Sequence, residues 1–324
     1  MATDSLRRID AVLGRVNTHP EYSSSVAKEV NHQLRTDAER HSLDIEFRGS
    51  GFNFKNHIGL TKRTFGRLRD AWNYLANYGI DAHSISKLGY LIEPETNGND
   101  GFRKSEVQFG GFAPPAPTDV PSLIENLVSS LDNPHFHAVE RASHAHLEMV
   151  RIHPYLDGNG RAARILSDFC LQQKGYPVAV IPSCDRGIYM TLISKALKDR
   201  YSHQSSYHEP SDAESSFIEF IASKVLHSAE FLEKELISRR IYEITLKNLK
   251  SPGIVHSVAK VIRGTSNRPR NRGVTVNVNK KKHRKAGEML RVMGDISAEE
   301  LRKSLDSLSA EYGFGYAVSP QTGC

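Results

Sequence analysis

The twelve residues HPYLDGNGRAAR, 153–164, constrain the fold of this chain more than any other stretch. In the segment before them, small and apolar residues recur at three- and four-residue steps: Ala138, Ala142, Ala145, Met149 and Ile152. This spacing predicts a long helix that ends at His153, because Pro154 does not allow a simple continuation. A second helix is predicted to begin near Asn159 and to run to Gly175. The sequence therefore predicts a short loop between two helices.

The end of this loop predicts an anion-binding site. Gly158, Asn159 and Gly160 permit positive φ angles and expose successive N–H groups just before the second helix, whose N-terminus carries partial positive charge. Arg161 and Arg164 lie three positions apart on one side of the first turn, and a guanidinium group suits phosphate oxygens. The combination favours a polyphosphate over a single negative charge.

Two further residues of the loop are candidates for a metal ligand and a general base. Asp157 is a candidate ligand for Mg²⁺, which keeps most of its waters and needs one or two carboxylates beside nucleotide phosphates. His153, with an ordinary pKa of about 6.5, is a candidate general base toward an incoming hydroxyl group. Together they indicate nucleophilic attack on a nucleotide phosphate. The alternative for each residue alone is structural, since DGNG is a common loop signal and arginines often lie on solvated helix faces.

The same stretch resembles the signature of the Fic family, HPFxxGNGRxxR, with Tyr155 in place of the usual Phe. Upstream, GFRKSEVQFGG and the prolines at 114–115 are similar to the family's flap hairpin and its proline-rich exit. Downstream, GYPVAVIP and IYMTLISKAL are similar to the segments that follow the motif in the family. The likeness runs from about residue 90 to 200, is weaker before that range and is absent from the C-terminal tail. It implies an all-α Fic-type helical core with a short β-hairpin flap.

Fic enzymes commonly transfer AMP from ATP to a Ser, Thr or Tyr hydroxyl of a target protein, so the resemblance implies a Mg²⁺-dependent protein adenylyltransferase, with Mn²⁺ as an alternative ion. It makes His153 the general base and Asp157 the metal ligand. The implied nucleotide-binding residues are Gly158, Asn159 and Gly160 at the α- and β-phosphates, Arg161 at the β-phosphate and Arg164 at the γ-phosphate. Some Fic enzymes transfer UMP, phosphate or phosphocholine instead, and the intact GNGRxxR favours AMP. For Tyr189 the alternatives are stacking near adenine and a buried structural role.

The resemblance also implies a docking surface for the target protein, and the chain itself is a candidate target. The flap would accept an extended segment of the target as an added strand, held in register by backbone hydrogen bonds. The flap residues are Glu106, Val107, Gln108, Phe109, Gly110 and Gly111. Because backbone pairing tolerates many sequences, the target does not follow from the flap.

The stretch SLDIEF, 42–47, resembles the pattern [S/T]xxxE[G/N] of the inhibitory helix in many Fic proteins, with Phe47 in place of Gly or Asn. The resemblance implies that Ser42 and Glu46 are regulatory. Glu46 would pair with Arg164 and compete directly with an oxygen of the γ-phosphate. In some such proteins the same glutamate supports removal of AMP by positioning a water. The alternative is an ordinary glutamate at a helix end.

The positive charge of the chain is concentrated in one segment. From Lys247 to Lys285 there are twelve Lys and Arg and no Asp or Glu, whereas the remaining residues hold 31 basic against 37 acidic side chains. Such a segment suits the phosphate backbone of a nucleic acid. With the alternating VTVNV beside it, the tail is expected to be a small basic module, either winged-helix-like or partly disordered. A solvated charge run without a partner is the alternative.

These patterns predict three regions: an N-terminal helical region with the candidate inhibitory helix over 1–89, a catalytic core over 90–240 and a basic region over 241–324. No apolar run is long enough to cross a membrane, the first residues lack the apolar centre of a signal peptide, and three cysteines do not suggest a disulfide framework. We therefore expect a cytoplasmic protein without a membrane partner. A homodimer remains an open alternative, as does a metal site among His135, His137, His144 and His146.

Overall fold

The structure is a computed structural model that describes residues 3–18, 24–47, 58–99, 101–202, 210–238, 240–249, 253–264, 275–279, 288–294, 296 and 298–320. The chain divides into two compact units, one of residues 1–13 and 31–230 and the other of residues 14–30 and 231–324. In chain order the helices up to the second unit's sheet are α1 (Thr3–Thr18), α2 (Ser24–Phe47), α3 (Ile58–Tyr78), α4 (Ala82–Ile92), α5 (Val120–Leu131), α6 (Ala138–Ile152), α7 (Asn159–Gln173), α8 (Arg186–Ser202) and α9 (Asp212–Ser238), with a 3₁₀ helix at Ser183–Asp185.

Helix α6 is the centre of the first unit. The sequence predicts one buried stripe, but every residue from 141 to 150 is buried, including charged ones. Burial of charge is tolerated because the charges are paired: Glu148 accepts hydrogen bonds from Arg151 at 2.7 Å and from Arg200 at 2.6 Å. Helix α7 packs along α6, and an edge-to-face contact of Trp72 with Phe169 joins α7 to α3. The expected all-α core is confirmed.

The expected flap is a minimal β-hairpin. The amide of Phe112 donates to the carbonyl of Phe109 at 2.8 Å, and a longer bond of 3.3 Å runs in the opposite direction. Between them, Gly110 and Gly111 have φ angles of 53° and 84°. Positive φ at both central residues is the requirement of a tight two-residue hairpin turn, and glycine meets it without strain.

The second unit contains a four-stranded antiparallel sheet. Its elements in chain order are β1 (Arg240–Lys247), α10 (Gly253–Gly264), β2 (Thr275–Asn279), β3 (Glu288–Gly294), α11 (Ala298–Tyr312) and β4 (Gly315–Pro320). The strand order is β2-β3-β1-β4, so two β-α-β halves interleave as in a split βαβ fold. Alternate residues of β1, Tyr242, Ile244 and Leu246, are buried with side chains from both helices.

This topology corrects the expectation of a winged-helix-like tail. The alternating VTVNV does form a strand, but its partner β3 and the strands beyond it build a full sheet covered by two helices. The winged-helix-like alternative rests on the resemblance of VTVNV and its basic neighbours to a wing, whereas the apolar alternation in β1, β3 and β4 belongs to one sheet. Much of the basic stretch, residues 265–274 and 280–287, lies outside the described residues.

None of the described helices combines the length and the apolar character needed to cross a lipid bilayer. Among the described residues there is also no group of three or more His, Cys, Asp or Glu side chains placed to hold a metal ion. Two of the four histidines at 135–146 contact different partners. His137 caps the start of α6 by accepting a bond from the Val139 amide, and His144 lies 2.9 Å from the Ser130 hydroxyl.

Candidate active site

The loop 153–158 connects α6 to α7 as the sequence predicts. His153 is the C-cap of α6 and has left-handed backbone angles, φ 51° and ψ 58°, while its amide still donates to the Met149 carbonyl. Gly158 is the N-cap of α7 with φ 85°. A Cβ at Gly158 would also lie 3.0 Å from the side chain of Ile92, so both the φ angle and the space favour glycine. The chain thus reverses direction between two helix ends.

Two asparagine side chains hold the loop in shape. Asn159 bonds both backbone groups of Tyr155, accepting from its amide at 2.9 Å and donating to its carbonyl at 2.8 Å. Asn97 accepts from the amides of Leu156 and Asp157 and donates to the carbonyl of Asp157. The side chain of Asn159 is therefore committed to the loop, and only its backbone amide is available to an anion.

The start of α7 offers the predicted cradle of amides. The first bond inside this helix runs from the Ala162 amide to the Gly158 carbonyl, so the amides of residues 159–161 precede the helical ladder. Such amides point out of the helix start and attract anions. A Cβ at Gly160 would lie 3.4 Å from Nη1 of Arg164 and 3.5 Å from Oε2 of Glu46, so glycine keeps the surface above the cradle open.

His153 has the environment of a neutral base. Its Nδ1 lies 3.3 Å from the Val150 carbonyl, which can only accept, so we assign the imidazole proton to Nδ1 and a free lone pair to Nε2. The ring of Phe109 from the flap stacks on the imidazole, with centroids 4.2 Å apart and planes within 8°. Burial lowers the pKa of His153 to about 4 despite the Val150 bond, which raises it. The ring is thus unprotonated at neutral pH.

Asp157 fits the role of a magnesium ligand. Its side chain is about half exposed, at 51%, and Oδ1 accepts from the Gly158 amide at 2.5 Å. Oδ2 bonds to no other residue in the described part of the chain. One outward carboxylate oxygen beside an amide cradle suits an ion that takes its other ligands from phosphates and water. Mg²⁺ held mainly by a nucleotide does not require a cage of protein side chains.

Arg161 is buried behind the loop. Its Nη1 donates to Oε2 of Glu93 at 2.7 Å, its Nη2 lies 3.3 Å from Asp157, and only 2% of its side chain is exposed. Its Nε is buried without a partner among the described residues. The guanidinium is therefore placed to hold the Asp157 carboxylate, and it is less open to a ligand than the sequence alone suggests.

Arg164 faces the candidate inhibitory helix. Its Nε donates to the Ser42 hydroxyl at 2.7 Å, and its Nη2 lies 3.2 Å from the Ser42 carbonyl and 3.0 Å from Oε2 of Glu46. The structure therefore brings together all three residues that the resemblance links. Arg164 is 7% exposed, and Ser42 is 4% exposed. A phosphate approaching this guanidinium meets a carboxylate that already occupies one of its donors.

Electrostatics favour the ionised form of Glu46. Burial alone would raise the pKa of this carboxyl group, but the positive charges of Arg164, Arg161 and Arg186 outweigh it and hold the pKa below its ordinary value. Arg186 also fixes the end of α2 directly, because its Nε donates to the Ile45 carbonyl at 2.7 Å. The pair of Glu46 with Arg164 is thus a charged one at neutral pH.

Tyr189 lies in the interior, 1% exposed. Its hydroxyl lies 2.8 Å from Nε2 of His146 and 3.3 Å from Nη1 of Arg164. This position favours the structural alternative, in which the Tyr189 hydroxyl accepts a hydrogen bond from Arg164 in the interior. Burial lowers the pKa of His146 to about 3, so the imidazole is neutral and its Nε2 accepts from or donates to the hydroxyl according to its tautomer.

Tyr155, which replaces the usual Phe, uses its hydroxyl to bond the Ile85 carbonyl in α4. The ring lies against Gly89 so closely that a Cβ there would be 2.4 Å from Cδ1. The side-chain Nδ2 of Asn97 also donates to the Gly89 carbonyl at 2.8 Å. The loop 153–158 therefore packs on helix α4, and Gly89 makes the close approach of the Tyr155 ring possible.

Several residues of this site were not predicted from the sequence. Asn97 lies in ETNGND, 95–100, a stretch of turn-forming residues, and Arg103 lies in the flap stretch GFRKSEVQFGG. Glu93 and Gly89 end α4 and carried no chemical signal. An asparagine inside a turn cluster and an arginine three residues after that cluster, both upstream of HPYLDGNGRAAR, would have been the available hint. Their bonds join positions about 50 to 60 residues apart, which no local pattern reports.

With the fold and the site described, comparisons with known proteins agree on one family. The model of the Fic/DOC family matches residues 57–171. A curated relative, "Protein adenylyltransferase Fic" of Drosophila persimilis, is 37% identical over 112 residues, which are 34% of this chain and 22% of the relative. The match thus spans about a fifth of the length of such relatives.

Two solved structures share the fold. A Fic domain containing signaling protein from Bacteroides thetaiotaomicron has a TM-score of 0.59 at 19% identity, over 72% of this chain and 98% of that one. A Fic family protein from Desulfovibrio desulfuricans has a TM-score of 0.55 at 15% identity, over 96% of this chain and 89% of that one. At such identities these structures show the fold alone.

Proposed function

We propose that this chain, whose residues 57–171 match the model of the Fic/DOC family, is a protein adenylyltransferase that transfers AMP from ATP to a hydroxyl side chain of a target protein. The observation that carries the proposal is the meeting, in one loop, of a neutral imidazole, an exposed carboxylate and the amide cradle at the start of α7. A phosphoryl-transfer site needs a base, a metal ligand and a group of donors for the phosphates, and these three parts correspond to those needs.

In the proposed reaction, Nε2 of His153 accepts the proton of the target hydroxyl. The hydroxyl oxygen forms a bond to the α-phosphorus of ATP, and the bond from that phosphorus to the bridging oxygen breaks, so that pyrophosphate leaves. Within Gly158–Gly160, the amides of Asn159 and Gly160 would hold the α- and β-phosphates, and Asp157 would hold Mg²⁺, with Mn²⁺ as an alternative. The metal supplies positive charge that offsets the charge developing on the phosphates.

Arg164 is the proposed partner of the γ-phosphate, and Glu46 is the proposed inhibitor. The carboxylate and a phosphate oxygen would compete for the same Nη2, and a carboxylate from the same chain has the advantage of a high effective concentration. Ser42 keeps the guanidinium aligned with this partner. A second role for Glu46, removal of AMP through a positioned water, is part of the same proposal.

The flap is the proposed docking site of the target. Residues 106–108 belong to no helix or strand, and in the described part of the chain they share no backbone hydrogen bond with another residue, which leaves their backbone as a free edge. Such a free edge accepts an added strand. Because backbone pairing does not select a particular target sequence, the chain itself is also a candidate target.

The transferred group is the point most open to test. Glu46→Gly protein incubated separately with Mg-ATP, Mg-UTP and Mg-GTP should gain the mass of an adenylyl group, by intact mass spectrometry, with ATP alone. A uridylyl or phosphoryl mass would establish a different Fic transferase, and an unchanged mass with all three would contradict the proposal.

A second candidate function concerns nucleic acid. Eight of the twelve basic residues in 247–285 fall in the sequence stretches that flank the edge strand β2. A stretch of sequence with so many positive charges suits a phosphate backbone, in a manner that weakens steeply with salt. Replacement of the five basic residues at 280–285 by Gln in the full chain should abolish salt-dependent retention on DNA, and retention that persists would contradict this function.

A further inference from the structure

We infer that Arg103 is a positioning residue which joins the target-binding flap to the catalytic base, so that docking of a target and alignment of His153 are coupled. This inference rests on the proposed function, since it assigns a role within the same reaction. It concerns a side chain that touches neither phosphate nor metal site in the proposed mechanism.

The guanidinium of Arg103 donates to both ends of the flap. Nη1 bonds the carbonyl of Ser105 at 3.0 Å, and Nη2 bonds the carbonyl of Pro115 at 2.5 Å. Ser105 precedes the flap and Pro115 follows it, so one side chain closes the base of the hairpin. In the described hairpin only Phe109 pairs with Phe112, so the flap lacks an extended ladder of backbone hydrogen bonds.

The same guanidinium holds the backbone of the catalytic base. Nε donates to the His153 carbonyl at 2.8 Å, and the Arg103 amide donates to the Pro154 carbonyl at 2.8 Å. The His153 carbonyl lies at the C-terminal end of α6, where carbonyls have no partner within the helix and a positive charge is stabilising. Arg103 therefore caps α6 from another segment and at the residue that carries the chemistry.

The flap reaches the base by a second route as well. The Phe109 ring stacks on the His153 imidazole at 4.2 Å, whereas Arg103 holds the His153 backbone. A target strand that moves the flap must therefore act on His153 through side chain and backbone together. Misplacement of a reacting group by about 1 Å can cost about 100-fold in rate, so small shifts at this clamp are sufficient for control.

Arginine is the residue that this geometry requires. Arg103 is 5% exposed, and its three shorter bonds diverge from one planar group toward separate carbonyls, with a fourth bond of 3.5 Å to the Ile152 carbonyl. A lysine ammonium is a point charge on a flexible stem and does not present donors in a fixed plane. Arg103→Lys therefore keeps the positive charge but loses the planar set of donors. Its effect reports on the geometry of the hydrogen bonds and not on the charge.

The experiment compares Arg103→Lys with Arg141→Lys, both in the full chain carrying Glu46→Gly. Arg141 is a matched control because it is 7% exposed and likewise bonds three acceptors, on Leu131, Cys170 and Gln173, away from the flap. Both variants should lower the midpoint of urea unfolding. Only Arg103→Lys should slow single-turnover auto-adenylylation, by about 100-fold, with the Kd for Mg-ATP changed less than about twofold.

NMR provides a readout that needs no transfer. The imidazole signals of His153 and the ring signals of Phe109 and Phe112 should shift together in Arg103→Lys and stay unchanged in Arg141→Lys. Equal rate losses in the two variants, in proportion to stability, would overturn the inference, as would His153 signals that move without the flap signals. Absence of transfer in the Glu46→Gly parent would instead refute the proposed function, and the NMR comparison would still decide on Arg103.

Discussion

Oε2 of Glu46 lies 3.0 Å from Nη2 of Arg164, although the two residues are 118 positions apart in the sequence. One ends the helix α2 and the other lies in the first turns of α7, next to the amide cradle. The pair is charged, because nearby arginines keep the pKa of Glu46 below its ordinary value in spite of burial. The carboxylate thus occupies a donor of Arg164 that the proposed γ-phosphate contact would need.

Glu46→Gly should raise auto-adenylylation by at least about tenfold, because a hydrogen bond to a charged group contributes about 1.5–3 kcal/mol to the blocked state. The rate is measured with ATP labelled at its α-phosphorus. Asp44→Gly is the matched control, since it places the same poor helix former two positions away without removing a bond to Arg164. An equal rise in both variants would assign the effect to a weakened helix.

Ser42→Ala should raise the same rate by a smaller factor, about two- to tenfold, as expected for a net loss of about 0.5–1.5 kcal/mol. The hydroxyl accepts from Nε of Arg164 at 2.7 Å, but the Ser42 carbonyl would remain as an acceptor for Nη2. Ser216→Ala, at an exposed serine within α9, provides the control. A rate below that of the unmodified chain would show that Ser42 prepares Arg164 for ATP and does not restrain it.

The rate should stay high in mildly acidic solution. Burial lowers the pKa of His153 to about 4, so the base remains neutral above that pH and the rate should fall only as the pH approaches 4. An ordinary imidazole, with a pKa of about 6.5, would be about 90% protonated at pH 5.5. In the unfolded chain His153 binds a proton from about pH 6.5 downward, whereas in the folded chain it stays neutral until about pH 4. The free energy of unfolding therefore decreases as the pH falls from 6.5 towards 4.

Phe109→Ala should move the acidic limb of this profile upward, toward pH 6.5. Removal of the stacked ring exposes the imidazole to water, and burial is the main cause of its lowered pKa. Single-turnover rates from pH 4.5 to 8, in the Glu46→Gly background, would measure the shift. Identical profiles with and without the ring would mean that the flap does not cover His153 in solution.

Gly89→Ala should destabilise the protein by about 1–3 kcal/mol, the usual cost of overpacking, and should reduce transfer. A Cβ there would lie 2.4 Å from the Tyr155 ring and would displace the catalytic loop. Gly66→Ala is the matched control in α3, where a Cβ meets nothing within 4 Å, and it should stabilise by about 0.5–1 kcal/mol. Urea unfolding gives both values, and similar stabilities would contradict the close packing of Tyr155.

The sequence predicted the loop 153–164 well, because its signals are local. Pro154 ends one helix, Gly158 permits the φ of 85° that begins the next, and both lie within six residues. The supporting contacts were not predictable in the same way. Asn97 and Arg103 reach the loop across 50 to 60 positions, and no periodicity or motif links them to it.

The contact of α2 with α7 was predicted on a different basis. Its prediction came from a resemblance to a known family and not from residue spacing, since nothing local in SLDIEF points to Arg164. Tyr189 illustrates the limit of such transfer. Its hydroxyl supports Arg164 and His146 in the interior, which a linear motif cannot distinguish from contact with a base. The C-terminal sheet was missed because strand order depends on pairing over long separations.

Positional labelling of ATP tests the central claim most directly. Glu46→Gly protein is incubated with ATP labelled at the α-phosphorus or at the γ-phosphorus, alongside a Glu46→Gly variant that also carries His153→Ala. The account predicts that only the α-label becomes bound to protein, that His153→Ala abolishes the transfer, and that this variant still binds Mg-ATP. Incorporation of the γ-label, or full transfer without His153, would contradict it.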